Sequence, residues 1–150
     1  MDFFVSEPNG IRMTLPEGLA GFLADVPAAL DLVGTVAEDP AGRRLRPDVY
    51  PADDAADAEY WRWMGSELDE SRAADRSAFR TLVESAVDGV VASRAEAEGV
   101  LRVLVEIRLA LAARLGVVAE EDYRGLDETD SVVLDTLAEL QALLLRALGA

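Results

Sequence analysis

Hydrophobic positions recur along this chain with two spacings, and the switch between them marks out the elements. Residues 3–15, FFVSEPNGIRMTL, put aromatic and β-branched side chains on both sides of PNG, where Asn9 and Gly10 accept the positive φ of a tight turn. The pattern predicts a β-hairpin, about 2–6 with 11–15. An isolated hairpin is marginal in water, so its apolar face must rest on the helices behind it. From Pro16 the spacing turns helical: Leu19, Phe22, Leu23, Val26, Leu30 and Val33 fall three and four apart. Pro27 lies inside that pattern and predicts a kink, because proline lacks the backbone donor.

Pro40, Pro47 and Pro51 predict an irregular loop. Two consecutive helices follow, about 54–64 and 67–87, distinct or merged with a bend at Gly65. Asp53 or Asp54 supplies the first N-cap, and Ser66 with Asp69 resembles a capping box for the second. Leu68, Phe79, Leu82, Val83 and Val87 form the buried side, while Met64 enters the core with one of the rings of Tyr60, Trp61 and Trp63. Ser93 with Glu96 is a clearer capping box. Between 100 and 111 eight of twelve residues are Val, Leu or Ile, and only Arg102, Glu106 and Arg108 are charged. So narrow a polar stripe predicts a central helix, surrounded by others and ending at Gly116. A last helix carries Val133, Leu137, Leu140, Leu144 and Leu148 on one face, with Asp130 as its N-cap. The fold class is mainly α: a compact bundle of about five helices with a small N-terminal β-hairpin. It forms a single domain over 1–150, hairpin about 2–15 and bundle about 16–148.

Composition narrows the chemistry. The chain has 150 residues, 51 % of them hydrophobic, which is enough to offset ordering entropy by burial. Neither cysteine nor histidine occurs. That excludes thiolate nucleophiles, disulfides, the usual zinc ligands and every histidine-based relay. All fourteen basic residues are arginine, set against 29 acids for a net charge of −15. The resulting field repels phosphate backbones and anionic lipid, so neither direct DNA binding nor membrane association is expected. The N-terminus lacks the pattern of a signal peptide and no apolar run spans a bilayer, so a cytoplasmic location is expected.

Carboxylates cluster at Asp53, Asp54 and Asp57 and at Glu120, Glu121 and Asp122, without the alternating spacing of a calcium loop. Both clusters flank helix ends, where acids cap and solvate. No catalytic residue, metal ligand or cofactor is assigned. Arginines are the more informative set. Arg72, Arg76 and Arg80 recur every four residues, a like-charge stack that costs about 0.2–0.5 kcal/mol per pair. Asp69 and Glu84 are placed to pair with Arg72 and Arg80 within the helix, which leaves Arg76 for a tertiary acid or a partner. Segment 43–80 holds seven arginines and nine acids, whereas the remaining residues hold seven and twenty. This is the surface least repulsive to an anionic partner. Tyr60, Trp61 and Trp63 cannot all share one helix face, so one ring enters the core and another packs under the proline loop or lies exposed. Arg62, Trp61, Trp63, Arg72, Arg76 and Arg80 are the interaction candidates; Arg44 and Tyr50 are assigned to anchoring the proline loop.

Several short stretches in order also carry a resemblance. RLRPDVYPADD at 44–54, YWR at 60–62, Leu68 with Arg72, IRLALAARLG at 107–116 and LQALLLRAL at 140–148 are similar to an actinobacterial domain-of-unknown-function family labelled AosR-like, of oxidative-stress transcriptional regulators. The resemblance spans 1–148 and implies a cytoplasmic regulator working with the transcription machinery through another protein. Redox sensing in that family relies on a cysteine pair, which this chain does not have, so thiol switching is excluded here. The expected function is a non-enzymatic regulator or adaptor acting through protein–protein contacts. The alternatives are a structural homo-oligomer, such as a homodimer joining the arginine face to the acids of a second copy, and a small-ligand binding domain.

Overall fold

A computed structural model describes residues 2–36 and 38–149. The chain begins with the hairpin, β1 Phe4–Glu7 and β2 Gly10–Met13, in antiparallel register with Glu7 opposite Gly10. Pro8 and Asn9 are therefore the two-residue turn, one position earlier than the Asn9-Gly10 pattern implies. Gly10 serves a different purpose. A Cβ there would sit 2.0 Å from the carbonyl oxygen of Ala92, because a third strand, β3 Val90–Ala92, pairs antiparallel with β2. The hairpin is thus completed into a three-stranded sheet ordered β1-β2-β3.

The predicted kinked helix is two helices, α1 Glu17–Ala24 and α2 Val26–Asp31, with Pro27 in the first turn of the second, where its missing N–H costs no hydrogen bond. The proline loop contains a short helix, α3 Pro40–Leu45, capped by Asp39, whose carboxylate accepts from the Ala41 amide at 3.0 Å. The two helices expected at 54–64 and 67–87 are one, α4 Asp54–Ser85, which runs through Gly65 for 32 residues. Asp53 caps it through the Ala56 amide at 3.1 Å.

Strand β3 then leads into α5 Arg94–Arg114. Ser93 and Glu96 form the reciprocal capping box at its start. At its end Gly116 takes φ +74°, while the Val117 and Gly116 amides donate to Ala112 and Ala113, a Schellman closure. A 3-10 turn, Glu120–Gly125, precedes α6 Glu128–Ala147. The N-cap of α6 is Asp127, three residues before the expected Asp130, and it accepts from the Asp130 amide at 2.8 Å. The result is mainly helical, six α-helices and a small sheet among the described residues.

Helix α5 is central, packed by α2, α3, α4 and α6 and by β2 and β3. The core joins Met13 of β2, Leu23 and Leu30 of the first two helices, Phe79 and Val83 of α4, Val103 and Leu104 of α5, and Leu140 and Leu144 of α6. Neither Met64 nor a tryptophan belongs to it: Met64 and Trp63 are exposed and Trp61 is half-buried. Val87 is exposed as well, because α4 ends two residues before it. The N-terminal half of α4 runs beyond the bundle. Its first buried side chain of any size is Phe79, with only Gly65 covered before it.

Candidate functional site

In each carboxylate cluster some members are held by backbone: Asp53 and Asp57 in the first, Asp122 in the second. Asp57 accepts from the Val49 and Tyr50 amides at 2.6 and 3.1 Å, pinning the proline loop to the first turns of α4. Asp122 accepts from Val118 and Ala119, and these two amides hold its carboxyl below the usual carboxylate range. Tyr50 packs edge-on against Tyr60, and Tyr60 against Trp61, with ring centroids 6.3 and 5.2 Å apart. Arg44 is exposed on α3 and its side chain has no hydrogen-bond partner among the described residues. Arg46 does the anchoring in its place. Its guanidinium lies 4.9 Å above the Trp61 ring and donates to the Gly65 carbonyl at 3.3 Å and to Asp69 at 2.9 Å.

Because Asp69 is held by Arg46, it does not pair with Arg72, and the arginine stack of α4 is neutralised across the fold. Arg72 donates to the Leu45 carbonyl at 2.9 Å and lies 3.5 Å from Glu106 of α5. Arg76 donates to the same Glu106 oxygen at 2.8 Å and, through Nη1, to Asp31 at 3.1 Å. Arg80 alone keeps its expected intrahelical partner, Glu84, at 3.1 Å. Glu106 is 7 % exposed, a buried carboxylate inside the apolar run of α5. In the sequence it reads only as a member of the polar stripe. The signal that marks it is being the lone acid among eight aliphatic residues. One turn away, Asp75 of α4 holds Arg102 in a two-bonded fork at 2.8 and 3.0 Å, which raises the arginine's affinity for its proton.

Two guanidiniums therefore share one buried carboxylate. Arg76 Nε is buried with no partner at all, an arrangement costing about 1–3 kcal/mol for an unsatisfied donor. Both arginines form the floor of a cleft of about 660 Å³ bounded by the 32–36 loop, α3 and α4. Its far rim is fixed by Asp39, which accepts from Arg114 at 2.9 and 3.2 Å, from the Gly34 amide at 3.1 Å and from Ala41. These bonds, Arg114's first, hold the Asp39 carboxyl far below the usual carboxylate range.

The remaining candidates form a separate surface. Trp63 is 71 % exposed, and its indole N–H reaches only Glu59, at 3.4 Å. Arg62 beside it is equally open and lies 3.4 Å from the same Glu59. Helical spacing places Glu59, Glu67 and Glu70 around Trp63. The structure thus separates the predicted residues into a cleft floor, Arg72 and Arg76, and an outward aromatic face, Arg62 and Trp63, with Trp61 and Arg46 between them.

The sequence model of a family described as Domain of unknown function (DUF2017) matches residues 1–148. No curated protein and no solved structure shows significant similarity to the chain.

Proposed function

The chain belongs to the DUF2017 family, and from that premise we propose a non-enzymatic regulator or adaptor of transcription that contacts another protein through the first half of α4. The observation that carries this reading is Trp63, a large aromatic surface left in water on a helix segment that projects past the core. Tryptophan is one of the three residue types, with tyrosine and arginine, that are enriched among interface anchors. Met64, the next residue along the helix, is exposed as well. The carboxylates around the indole select a basic partner surface, whose guanidinium or ammonium groups would also be favoured over the ring face. Nucleic acid is not the proposed contact, since 29 acids against 14 arginines oppose it. The role in transcription, the cytoplasmic location and the finer kinship with actinobacterial AosR-like regulators rest on the sequence resemblance.

Affinity capture with wild type, Trp63→Ala and Arg80→Ala tests the reading. A basic protein of the transcription apparatus should be retained by wild type and Arg80→Ala and lost by Trp63→Ala, and purified partner should reproduce the difference. Identical partner lists for all three overturn it. Sedimentation across salt concentrations addresses the homo-oligomer: a salt-sensitive dimer abolished by Trp63→Ala would replace the adaptor with self-association.

A further inference from the structure

The cleft above Arg72 and Arg76 is independent of the Trp63 surface, and Trp63 does not line it. At its floor two arginines face one deeply buried carboxylate, Glu106, so a positive charge is left over. Asp31 meets that excess only loosely. Its side chain is 67 % exposed, and it is the last residue of α2, at the carbonyl end of a helix, where a carboxylate is disfavoured. Arg76 Nη1 is all that it touches across the cleft. Asp31 thus occupies an anion position without being built into it. The walls differ from the floor: Leu30, Val33, Val36 and Leu45 are apolar, and Val36 stands open to solvent. At the mouth Arg43 and Arg46 add guanidiniums that are each paired with an acid of the same lining, Glu38 at 2.7 Å and Asp69 at 2.9 Å, so the anion position is the one that Asp31 fills.

A cationic floor, an apolar wall and a volume of about 660 Å³ are complementary to a small organic anion. The geometry points to a binding site for a carboxylate with a compact apolar body, whose oxygens replace Asp31 on Arg76 while its body covers Val33 and Val36. Nη2 of Arg76 already donates to Glu106, so the incoming carboxylate takes the place of Asp31 on Nη1, and its apolar body supplies the preference over a bare inorganic anion. Binding is reversible and forms no covalent bond.

The test is an amide NMR titration of the full chain with benzoate, with inorganic phosphate and benzyl alcohol as comparisons. Benzoate should give saturable shifts confined to residues 30–46 and 69–76. Asp31→Ala, by removing the internal competitor, should tighten benzoate about five-fold, a change of about 1 kcal/mol. Arg43→Ala, on the exposed rim where Arg43 holds Glu38 at 2.7 Å, should weaken it about three-fold, because the freed Glu38 then repels the anion. Trp63→Ala should leave benzoate binding unchanged, which separates this site from the protein contact. The inference is overturned if neither wild type nor Asp31→Ala saturates by about 20 mM benzoate. Shifts elsewhere, around Arg12 and Arg94, overturn it too, as does phosphate or benzyl alcohol binding as tightly as benzoate.

Discussion

Glu106 is the residue on which the interior electrostatics turn. Burying its carboxylate carries a desolvation cost that only the two guanidiniums of α4 offset, and removing one member of such a set leaves the others uncompensated. Glu106→Ala should lower unfolding stability by about 3 kcal/mol in urea denaturation, and Glu106→Gln by less, since an amide oxygen still accepts from Arg76. Equal losses for the two variants would mean that the carboxylate contributes shape alone. Asp39 makes the matching prediction in pH. Its folded-state carboxyl is depressed by Arg114 and two backbone amides. The folded form therefore binds fewer protons than the unfolded chain, and the stabilisation is present above the unfolded carboxylate range, about pH 4, and lost as pH falls below it. Asp39→Asn should flatten the decline of stability between about pH 4 and pH 2 relative to wild type. A parallel acid limb for both proteins would contradict the role given to Asp39. The i, i+4 spacing of Arg72 and Arg76 is plain in the sequence, and so is the need for a tertiary acid at Arg76. The identity of that acid is not, because Glu106 lies thirty residues further on and only the packing of α4 on α5 brings the two together.

At the level of elements, what can be read is what local chemistry determines. The Ser93-Glu96 box and the glycine closure at Gly116 delimit α5 because their partners lie within a few residues. Strand β3 is invisible in the sequence: three residues carry no periodicity, and its partner β2 is about eighty positions away. Helix α3 is hidden by prolines that suggest only a loop, although Pro40 in fact occupies a first helical turn. Gly65 misleads in the opposite direction. It does not break α4; it makes room for Arg46, since a Cβ there would lie 2.7 Å from Nη2 of that arginine. The obstructing group is the end of a flexible, partly exposed side chain, so it can move away. Gly65→Ala should therefore raise helix stability by up to about 1 kcal/mol while releasing Arg46 from the Trp61 ring. In a Trp63→Phe background, acrylamide quenching of Trp61 should increase while the melting temperature does not fall. A lower melting temperature would show that the Arg46 contact contributes more than the helix gains.

For the molecule as a whole, the sign of the charge matters more than any one pair. Arginines of 43–80 are largely engaged with acids of the same segment or of neighbouring helices, through Arg46 with Asp69, Arg72 and Arg76 with Glu106, and Arg80 with Glu84. Much of the uncompensated charge lies elsewhere, as between 117 and 139, where eight acids accompany one arginine. Added salt acts on both populations. It weakens exposed ion pairs, each worth about 0–1 kcal/mol, and it screens the repulsion among the surplus carboxylates. The buried contacts to Glu106 are the least affected, because screening acts through solvent. With a net charge of −15 on 150 residues, repulsion is the larger effect. Raising sodium chloride from about 0.05 to 0.5 M shrinks the screening length from roughly 14 Å to roughly 4 Å, which removes repulsion between acids that are not neighbours. The melting temperature at pH 7 should rise across that range, most steeply at its low end. If it falls instead, the exposed ion pairs outweigh the net charge, and the surface described as repulsive is held together by its arginines.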